Sequence, residues 1–110
     1  MKLIAHAAEE APVITPDGAE RRILSCSENL MLVQFNFGAK VASWEHNHPH
    51  EQVGYVVSGE IDVFMEGHDP VRLNAGGSYF VPSNLMHHIE TLAPSVLIDC
   101  FTPQRADFLK

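Results

Sequence analysis

Apolar and polar residues alternate along much of this chain. In the run 30–37, apolar side chains at positions 31, 33, 35 and 37 alternate with residues 32, 34 and 36, which is the period of a strand with one buried face. Similar short runs predict strands at 13–14, 21–27, 51–58, 61–66, 71–73, 78–82, 87–92 and 95–101. Glycine, proline and asparagine separate these runs, and no sustained helical period is present. We therefore predict an all-β chain of about eight to ten short strands, folded as a sandwich or barrel, for which a double-sheet jelly roll is the best fit.

The first eighteen residues differ from the rest of the chain. Pro12, Pro16, Asp17 and Gly18 interrupt any regular period, so residues 1–18 are predicted to form an N-terminal arm that ends in a turn. Residues 19–110 contain no internal repeat, low-complexity tract or linker. With 110 residues, 45% of them hydrophobic, the chain is expected to form a single domain without the help of a disulfide.

Two of the predicted strands are apolar on both faces. In the strand 51–58, residues 53, 55 and 57 on one face are apolar, and so is residue 56 on the other face. In the last strand, apolar residues 97 and 101 lie on one face and residues 96, 98 and 100 on the other. A strand in a two-layer fold has only one face in the core, so the second face needs another cover. We therefore predict a homodimer, in which a second copy of the chain covers this face.

Charge narrows the range of partners. Fourteen acidic and seven basic side chains give a formal net charge of −7, which repels phosphate backbones and anionic lipid. No apolar run approaches the ~20 residues that span a bilayer. We therefore expect no nucleic-acid or membrane partner. A small anionic molecule is still allowed, because a buried divalent ion and one arginine can dominate the potential inside a pocket.

Cysteine content indicates the compartment. Cys26 and Cys100 are too few and too far apart for a disulfide framework or a zinc ribbon, and no secretory leader pattern is present. Neither lies beside cations that would lower its pKa. We predict a cytoplasmic protein in which both are buried, reduced, structural thiols.

Histidine is concentrated at two places in the chain. Five of the seven histidines lie in two clusters, at positions 46, 48 and 50 and at positions 87 and 88. If residues 46–52 are extended, side chains 46, 48, 50 and 52 share one face, with an interval suited to metal binding. Neutral imidazole is the commonest protein ligand for transition metals. The alternative is a histidine-rich surface loop without a bound ion.

The same residues resemble the two sequence motifs of the cupin family. His46-x-His48-x3-Gln52-x6-Gly59 is similar to the first motif, and Gly76-x5-Pro82-x-Asn84-x2-His87 is similar to the second, so that the resemblance covers residues 38–90. It implies a cupin double-stranded β-helix, a jelly-roll barrel. It also implies that one divalent metal ion is held by His46, His48, Gln52 and His87.

This chain departs from the cupin pattern at three positions. Lys40 and Asn84 occupy places where glycine is expected, but both are turn positions. Gln52 replaces the glutamate of many cupins, and strand parity turns the neighbouring Glu51 away from the histidines. A neutral amide leaves the full charge of the ion at the site, which favours Lewis-acid chemistry. Zinc, nickel, manganese and iron all accept such ligands, and the roles of the remaining two histidines, at 50 and 88, stay open.

The last strand carries a second, narrower resemblance. The Asp99-x-Phe101-x3-Arg105 set is similar to the ending of the small pectin-degradation cupins of the KdgF type. That resemblance implies that Asp99, Phe101 and Arg105 are catalytic residues beside the metal. It also implies an enzyme of uronate catabolism that opens the ring of 4,5-unsaturated uronates to give linear 4-deoxy-5-keto uronates.

Strand parity is compatible with these roles. Asp99 and Phe101 share one face, and Arg105 lies just past the strand, where its planar fork can pair with the carboxylate of a small anionic sugar substrate. A structural carboxylate and a surface arginine are the alternatives at these two positions. Two other functions also remain open for the whole protein, a metal-dependent dioxygenase and a non-catalytic sugar-binding module.

Overall fold

Nine antiparallel strands make up the fold of this protein. The computed structural model describes residues 1–109. Its strands are β1 (Val13–Ile14), β2 (Glu20–Cys26), β3 (Met31–Phe37), β4 (Glu51–Ser58), β5 (Glu60–Met65), β6 (Val71–Asn74), β7 (Ser78–Val81), β8 (His87–Thr91) and β9 (Ser95–Thr102). Two short 3₁₀ turns, Ala7–Glu9 and Ala106–Leu109, complete the regular structure. The predicted number of strands is confirmed, and each predicted strand is present within one or two residues.

The strands form two facing sheets. One has six strands in the order β1-β2-β3-β9-β4-β7, and the other has three in the order β6-β5-β8. Their inner faces share a core to which β3, β4 and β9 contribute from one sheet and β5 and β8 from the other. The jelly-roll prediction is therefore confirmed.

Alternation of side chains explains which face of each strand enters the core. Along β4, Gln52, Gly54 and Val56 are buried, whereas the residues between them are exposed. Along β9, four alternate residues, Ser95 to Phe101, are buried. Complete burial of a side chain such as Val56 or Leu97 contributes about 1.5–3 kcal/mol, so a one-residue slip of either strand would be strongly unfavourable.

The segment 38–50 is the main departure from the prediction. The sharing of one face by side chains 46, 48, 50 and 52 assumed an extended segment 46–52, but residues 47–50 form no strand, whereas β4 begins at Glu51 as predicted. Pro49 has no amide hydrogen to donate to a neighbouring strand. The segment follows the edge of β8 instead, through isolated backbone pairs of Ala42 with Glu90 and of His46 with His87.

Two turns along this edge adopt the left-handed backbone conformation. Lys40 has φ 57° and Asn84 has φ 67°, and these are the two positions where the cupin motifs lead one to expect glycine. Asparagine enters this region more readily than most residues, whereas a lysine there is uncommon. The expectation that both positions are turns is confirmed.

The N-terminal residues lie against β2. Lys2 exchanges backbone hydrogen bonds with Cys26 at 2.8 and 3.0 Å, and β1 pairs with the start of β2. The division into an arm, 1–18, and a domain, 19–110, stays a prediction, and Lys110 lies outside the described residues. Among residues 1–109, no helix has the length and apolar character needed to cross a membrane.

The outer face of the six-stranded sheet is apolar. Val53, Tyr55 and Val57 on β4 and Phe80 on β7 are each about half exposed. These four side chains lie on adjacent, paired strands. They therefore form a continuous apolar surface on the side of the sheet that does not face the core.

Both cysteines are free and half-buried. Full burial was predicted, but Cys100 has the outward parity of β9, and Cys26 lies at the edge of the smaller core around Met31 and Val33. Burial, and to a lesser degree the charge of Asp99, raises the pKa of the Cys100 thiol. Such a thiol is a weak nucleophile near neutral pH.

Candidate functional site

Three histidine rings meet beside the cavity between the sheets, and two of them, His46 and His87, line it. The backbones of His46 and His87 exchange hydrogen bonds at 3.1 and 2.9 Å, and this pairing brings their ring centroids to 4.4 Å. His48 lies two residues further on, with its ring centroid 5.0 Å from that of His87. One ring nitrogen from each histidine lies within 4.8 Å of the others, so the group can hold a metal ion.

Backbone carbonyls fix the tautomer of all three rings. Each Nδ1 lies within hydrogen-bond distance of a carbonyl oxygen, which can only accept, so each Nδ1 carries the proton. The acceptors of His46, His48 and His87 are the carbonyls of Trp44, His50 and Leu85, at 2.7, 3.0 and 2.8 Å. Each Nε2 therefore keeps a free lone pair. The Nε2 of His87 is buried and has no hydrogen-bond partner within the described part of the chain.

Burial keeps the rings of His48 and His87 neutral. The pKa of His87 is lowered to about 4, chiefly by burial. Burial also lowers the pKa of His48, with a further contribution from the positive charge of Arg105. At neutral pH the lone pairs of His48 and His87 are thus available to a cation, since protons do not compete for them.

Gln52 extends the group of donors. It is buried, and its Oε1 lies 3.1 Å from Nε2 of His48. Because the proton of His48 is on Nδ1, two lone pairs face each other here, an arrangement that a cation would stabilise. Glu51 is exposed on the opposite face of β4. Three neutral imidazoles and an amide oxygen fit a divalent transition-metal ion.

Asp99 lies on β9, in the wall of the same cavity. It is buried, and Tyr79 donates a hydrogen bond from its hydroxyl to Oδ1 of Asp99 at 2.8 Å. Burial raises the pKa of Asp99 to about 6, although hydrogen bonds from Tyr79 and Gln52 and the charge of Arg105 oppose the change. A carboxyl group with this pKa can both accept and donate a proton near neutral pH.

Gly54 makes the contact between Tyr79 and Asp99 possible. In the register of the sheet, Gly54 lies opposite Tyr79 of β7 on one side and opposite Asp99 of β9 on the other. A β-carbon at position 54 would overlap the Tyr79 ring and approach Oδ1 of Asp99 to 2.5 Å. The two side chains therefore meet across the middle strand only because residue 54 has no side chain.

Arg105 is buried beside two aromatic rings. Its guanidinium lies 5.2 Å from the ring centroid of Phe101 and 4.2 Å from that of Phe108. Its Nε and Nη2 donate to the two carboxylate oxygens of Asp107 at 3.0 and 2.9 Å. These bonds and the charge of Arg105 hold the pKa of Asp107 below its usual range. Phe101 also contacts the ring of His48, with centroids 5.8 Å apart.

The cavity has a volume of about 380 Å³, within the usual range for small-molecule sites. The predicted residues His46, Gln52, His87, Asp99, Phe101 and Arg105 all line it. Other lining residues with polar side chains, among them Arg21, Tyr79 and Asp107, were not predicted to act in the site. Arg21 could have been found from the sequence, because it is a charged residue two positions from the apolar Ile23 and therefore lies on the same face of its strand. The contact of Tyr79 depends on strand register and had no sequence signal.

His50 and His88, the remaining members of the two histidine clusters, lie outside the three-histidine group. His50 donates from Nε2 to the carbonyl oxygen of Gln104 at 3.1 Å, so it connects the histidine segment to the C-terminal segment that carries Arg105. His88 stacks on Phe64, with centroids 4.4 Å apart and ring planes at 6°, and pairs with Glu90. The indole of Trp44 was expected inside the barrel, but it is 62% exposed at the rim.

Comparison with known proteins assigns the chain to a family. The cupin domain model matches residues 31–101. The pectin degradation protein KdgF of Dickeya dadantii is 40% identical over 95 residues, which are 84% of this chain and 86% of that protein.

Two solved structures are similar over nearly their whole length. An RmlC-like cupin from Shewanella frigidimarina NCIMB 400 has a TM-score of 0.92 and 32% identity, covering 98% of this chain and 96% of that one. KdgF from Halomonas sp. has a TM-score of 0.86 and 31% identity, covering 97% of this chain and 99% of that one. The chain therefore belongs to the cupin family and, within it, to the small cupins of the KdgF type.

Proposed function

We propose that this protein is a metal-dependent enzyme of uronate catabolism, which opens the ring of 4,5-unsaturated uronates to give linear 4-deoxy-5-keto uronates. The observation that carries the proposal is one cavity that combines the three-histidine group with a buried carboxyl group and a buried guanidinium. The similarity to a pectin degradation protein supports the substrate class, because pectin is built largely from uronic acids.

His46, His48, Gln52 and His87 would hold one divalent ion, which when bound supplies Lewis-acid polarisation of a substrate oxygen. The four side chains are neutral, so they leave the charge of the ion undiminished. Zinc, nickel, manganese and iron all accept three imidazoles and an amide oxygen as ligands, so each is a candidate for the ion.

Asp99 transfers a proton from oxygen to carbon. In the reaction, the bond between the anomeric carbon and the ring oxygen breaks while the anomeric hydroxyl loses its proton and becomes an aldehyde. The ring oxygen becomes the C5 ketone, and C4 of the former double bond gains a proton. The reaction is an isomerisation without an oxidant or reductant, so one buried carboxyl group that accepts and returns a proton is sufficient.

Arg105 and Phe101 bind and orient the sugar. Arg105 still has N–H groups on Nη1 that Asp107 does not engage, and these can donate to the substrate carboxylate. Phe101 is close to both the guanidinium of Arg105 and the His48 ring, so it provides an apolar wall of the site beside both groups.

The test is an assay on an unsaturated uronate monomer with protein loaded separately with each of the four metals. Loss of the conjugated double bond is followed by ultraviolet absorbance, and the product by nuclear magnetic resonance. Asp99→Asn should lower kcat about 10²–10⁴-fold with little change in KM, whereas Arg105→Ala should mainly raise KM. Asp62→Asn, at a carboxylate paired with Arg72 on the outside, is the control and should keep full activity.

Each alternative has its own result in this assay. No ring opening above the spontaneous rate with any of the metals would refute the proposed reaction. Oxygen consumption by the iron form would instead indicate a dioxygenase. Tight sugar binding without turnover would indicate a non-catalytic binding module.

We also propose that the protein is a homodimer that pairs through the apolar outer face of β4 and β7. Four large apolar side chains, each about half exposed on adjacent strands, support this arrangement, since monomers seldom expose a continuous apolar surface of this kind. Sedimentation should give a dimer for the wild type and a monomer for Val53→Glu. Val71→Glu, at an equally exposed valine of the other sheet, should remain dimeric. A wild type that is monomeric at micromolar concentration would refute the proposal.

A cytoplasmic location is proposed as well. The two free thiols support it, because reduced cysteines are typical of that compartment. Cell fractionation with an antibody against the protein tests it directly.

A further inference from the structure

Arg21 on β2 is a second cation in the wall of the cavity, and its side chain is half-buried. Its guanidinium lies 4.1 Å from the ring centroid of Phe108, and residue 21 pairs in register with Phe35, another lining residue. Within residues 1–109, its Nε is buried and has no hydrogen-bond acceptor, and its guanidinium forms no ion pair. A buried donor without an acceptor is uncommon in folded proteins.

Arg105 differs from Arg21 in this respect. Two nitrogens of Arg105 are engaged by both oxygens of Asp107, so the Nε/Nη2 edge, one of the guanidinium edges that can bind a carboxylate in two-point contact, is already occupied. Arg105 also contacts Phe108, at 4.2 Å. Two guanidinium groups thus lie against one aromatic ring, and Asp107 pairs with only one of them.

An anion would complete this arrangement. Two cations close together in a cavity repel each other more strongly than they would in water, and burial adds to the cost of each charge. Burial is the main cause that lowers the pKa of Arg21; the charge of Asp107 raises it, the charge of Arg105 lowers it, and Asp17 raises it least. Asp17 is already bound by the backbone N–H of Trp44 at 3.2 Å. A carboxylate entering the cavity can accept from the terminal guanidinium nitrogens of Arg21, which form no ion pair within residues 1–109, and so offset the cost of burying this charge.

We propose that Arg21 binds the carboxylate of the sugar and, together with the free N–H groups of Arg105, selects acidic sugars over neutral ones. The identity of the sugar rests on the proposed function. The binding of a carboxylate by Arg21 does not rest on that function, because it is inferred from a guanidinium that has no ion-pair partner within residues 1–109. Arg21 is thus a specificity-determining residue that precedes both cupin motifs in the sequence.

The sequence provides a matched control in the next residue. Arg22 has the opposite parity on β2, and its guanidinium is already engaged by the backbone oxygen of Glu10 and by the carboxylate of Glu20. Arg21→Met removes the charge and keeps an unbranched side chain beside Phe108. Arg21→Lys keeps the charge and loses the planar fork. Arg22→Met removes an equal charge outside the cavity.

The experiment measures binding and turnover with the metal-loaded, full-length protein. Calorimetry with galacturonate, which has a carboxylate but no 4,5 double bond, and with galactose, which has neither, isolates the contribution of the carboxylate. Arg21→Met should weaken galacturonate binding about 10- to 100-fold, as expected for loss of a charge-assisted hydrogen bond, and leave galactose binding unchanged. Arg21→Lys should recover part of the loss, and Arg22→Met should equal the wild type. Thermal unfolding of each variant identifies any loss of fold.

The outcomes separate this inference from the proposed reaction. If the wild type opens unsaturated uronates and Arg21→Met does so with unchanged KM and unchanged galacturonate affinity, the role of Arg21 is refuted and the reaction stands. If Arg21 controls galacturonate binding but no unsaturated uronate is opened, the carboxylate site stands and the reaction is refuted. If the wild type neither binds galacturonate nor turns over an unsaturated uronate, both are refuted.

Discussion

Gly54→Ala adds only one methyl group, but it should lower both the stability of the fold and the activity of the site. The added carbon would overlap the Tyr79 ring and lie against Asp99, which are the two residues on either side of it in the sheet. The strand cannot shift to relieve the overlap, because β4 is paired on both sides and Val56 is completely buried one step further along. Relief therefore requires the Tyr79 ring to move, and the hydrogen bond to Asp99 is then lost.

The magnitude follows from these two effects. Overpacking in a dense interior costs about 1–3 kcal/mol, and a hydrogen bond to a charged group contributes about 1.5–3 kcal/mol. The two are alternatives for the same atoms, so they do not add, and we expect a loss of about 2–3 kcal/mol in the free energy of unfolding. For a domain of this size, the midpoint of thermal unfolding should fall by roughly 10 °C.

Denaturant unfolding of the metal-free protein measures the loss, and the uronate assay measures the effect on turnover. Gly38→Ala is the control, because its β-carbon would meet only Val41 at an ordinary 3.9 Å, and its effect should stay within about 0.5 kcal/mol. Tyr79→Leu removes the ring, so Gly54→Ala should cost much less in that background than in the wild type. Wild-type stability and turnover in Gly54→Ala, or full additivity in the double variant, would refute this reasoning.

Three other predictions concern the metal, the core and the thiols. Changing His46 and His48 together to alanine should abolish stoichiometric metal in elemental analysis, and retention of one ion per chain would contradict the ligand assignment. Leu97→Ala should lower the free energy of unfolding by about 2–5 kcal/mol, because this side chain is 1% exposed, whereas Ile98→Ala on the outer face should cost clearly less. Thiol-blocking reagents should react slowly with the native protein and spare activity, because burial raises the pKa of Cys100, and rapid inactivation would show that a thiol takes part.

The alternation of apolar and polar residues predicted the fold well, because the core can form only if one face of each strand is apolar. The alternation in β3, β4 and β9 determines which residues enter the core, and the motif spacing correctly predicted that the loop histidines and His87 meet. The conformation of the histidine segment itself differs from the expectation. Parity assumed a continuous strand, but residues 47–50 form none, and His46 is positioned by its backbone pairing with His87 instead.

The polar contacts of the cavity could not be predicted in the same way. The contact of Tyr79 with Asp99 depends on the register of three strands, which no local pattern specifies. The pairing of Arg105 with Asp107 is local in sequence, but it depends on the turn that follows β9. Arg21 lies far from the motifs in the chain, so only the folded barrel shows that it shares a cavity with Asp99.

The two guanidinium groups that contact Phe108 also bear on how the ligand range of this barrel can change. Arg21 comes from β2 and Arg105 from the segment after β9, and both guanidinium groups lie against the ring of Phe108. The size of that ring therefore sets the spacing of the two cations, independently of the histidines, which are anchored to backbone carbonyls elsewhere. Substitution at position 108 can thus adapt the barrel to longer or more highly charged acids while its metal-binding end stays the same.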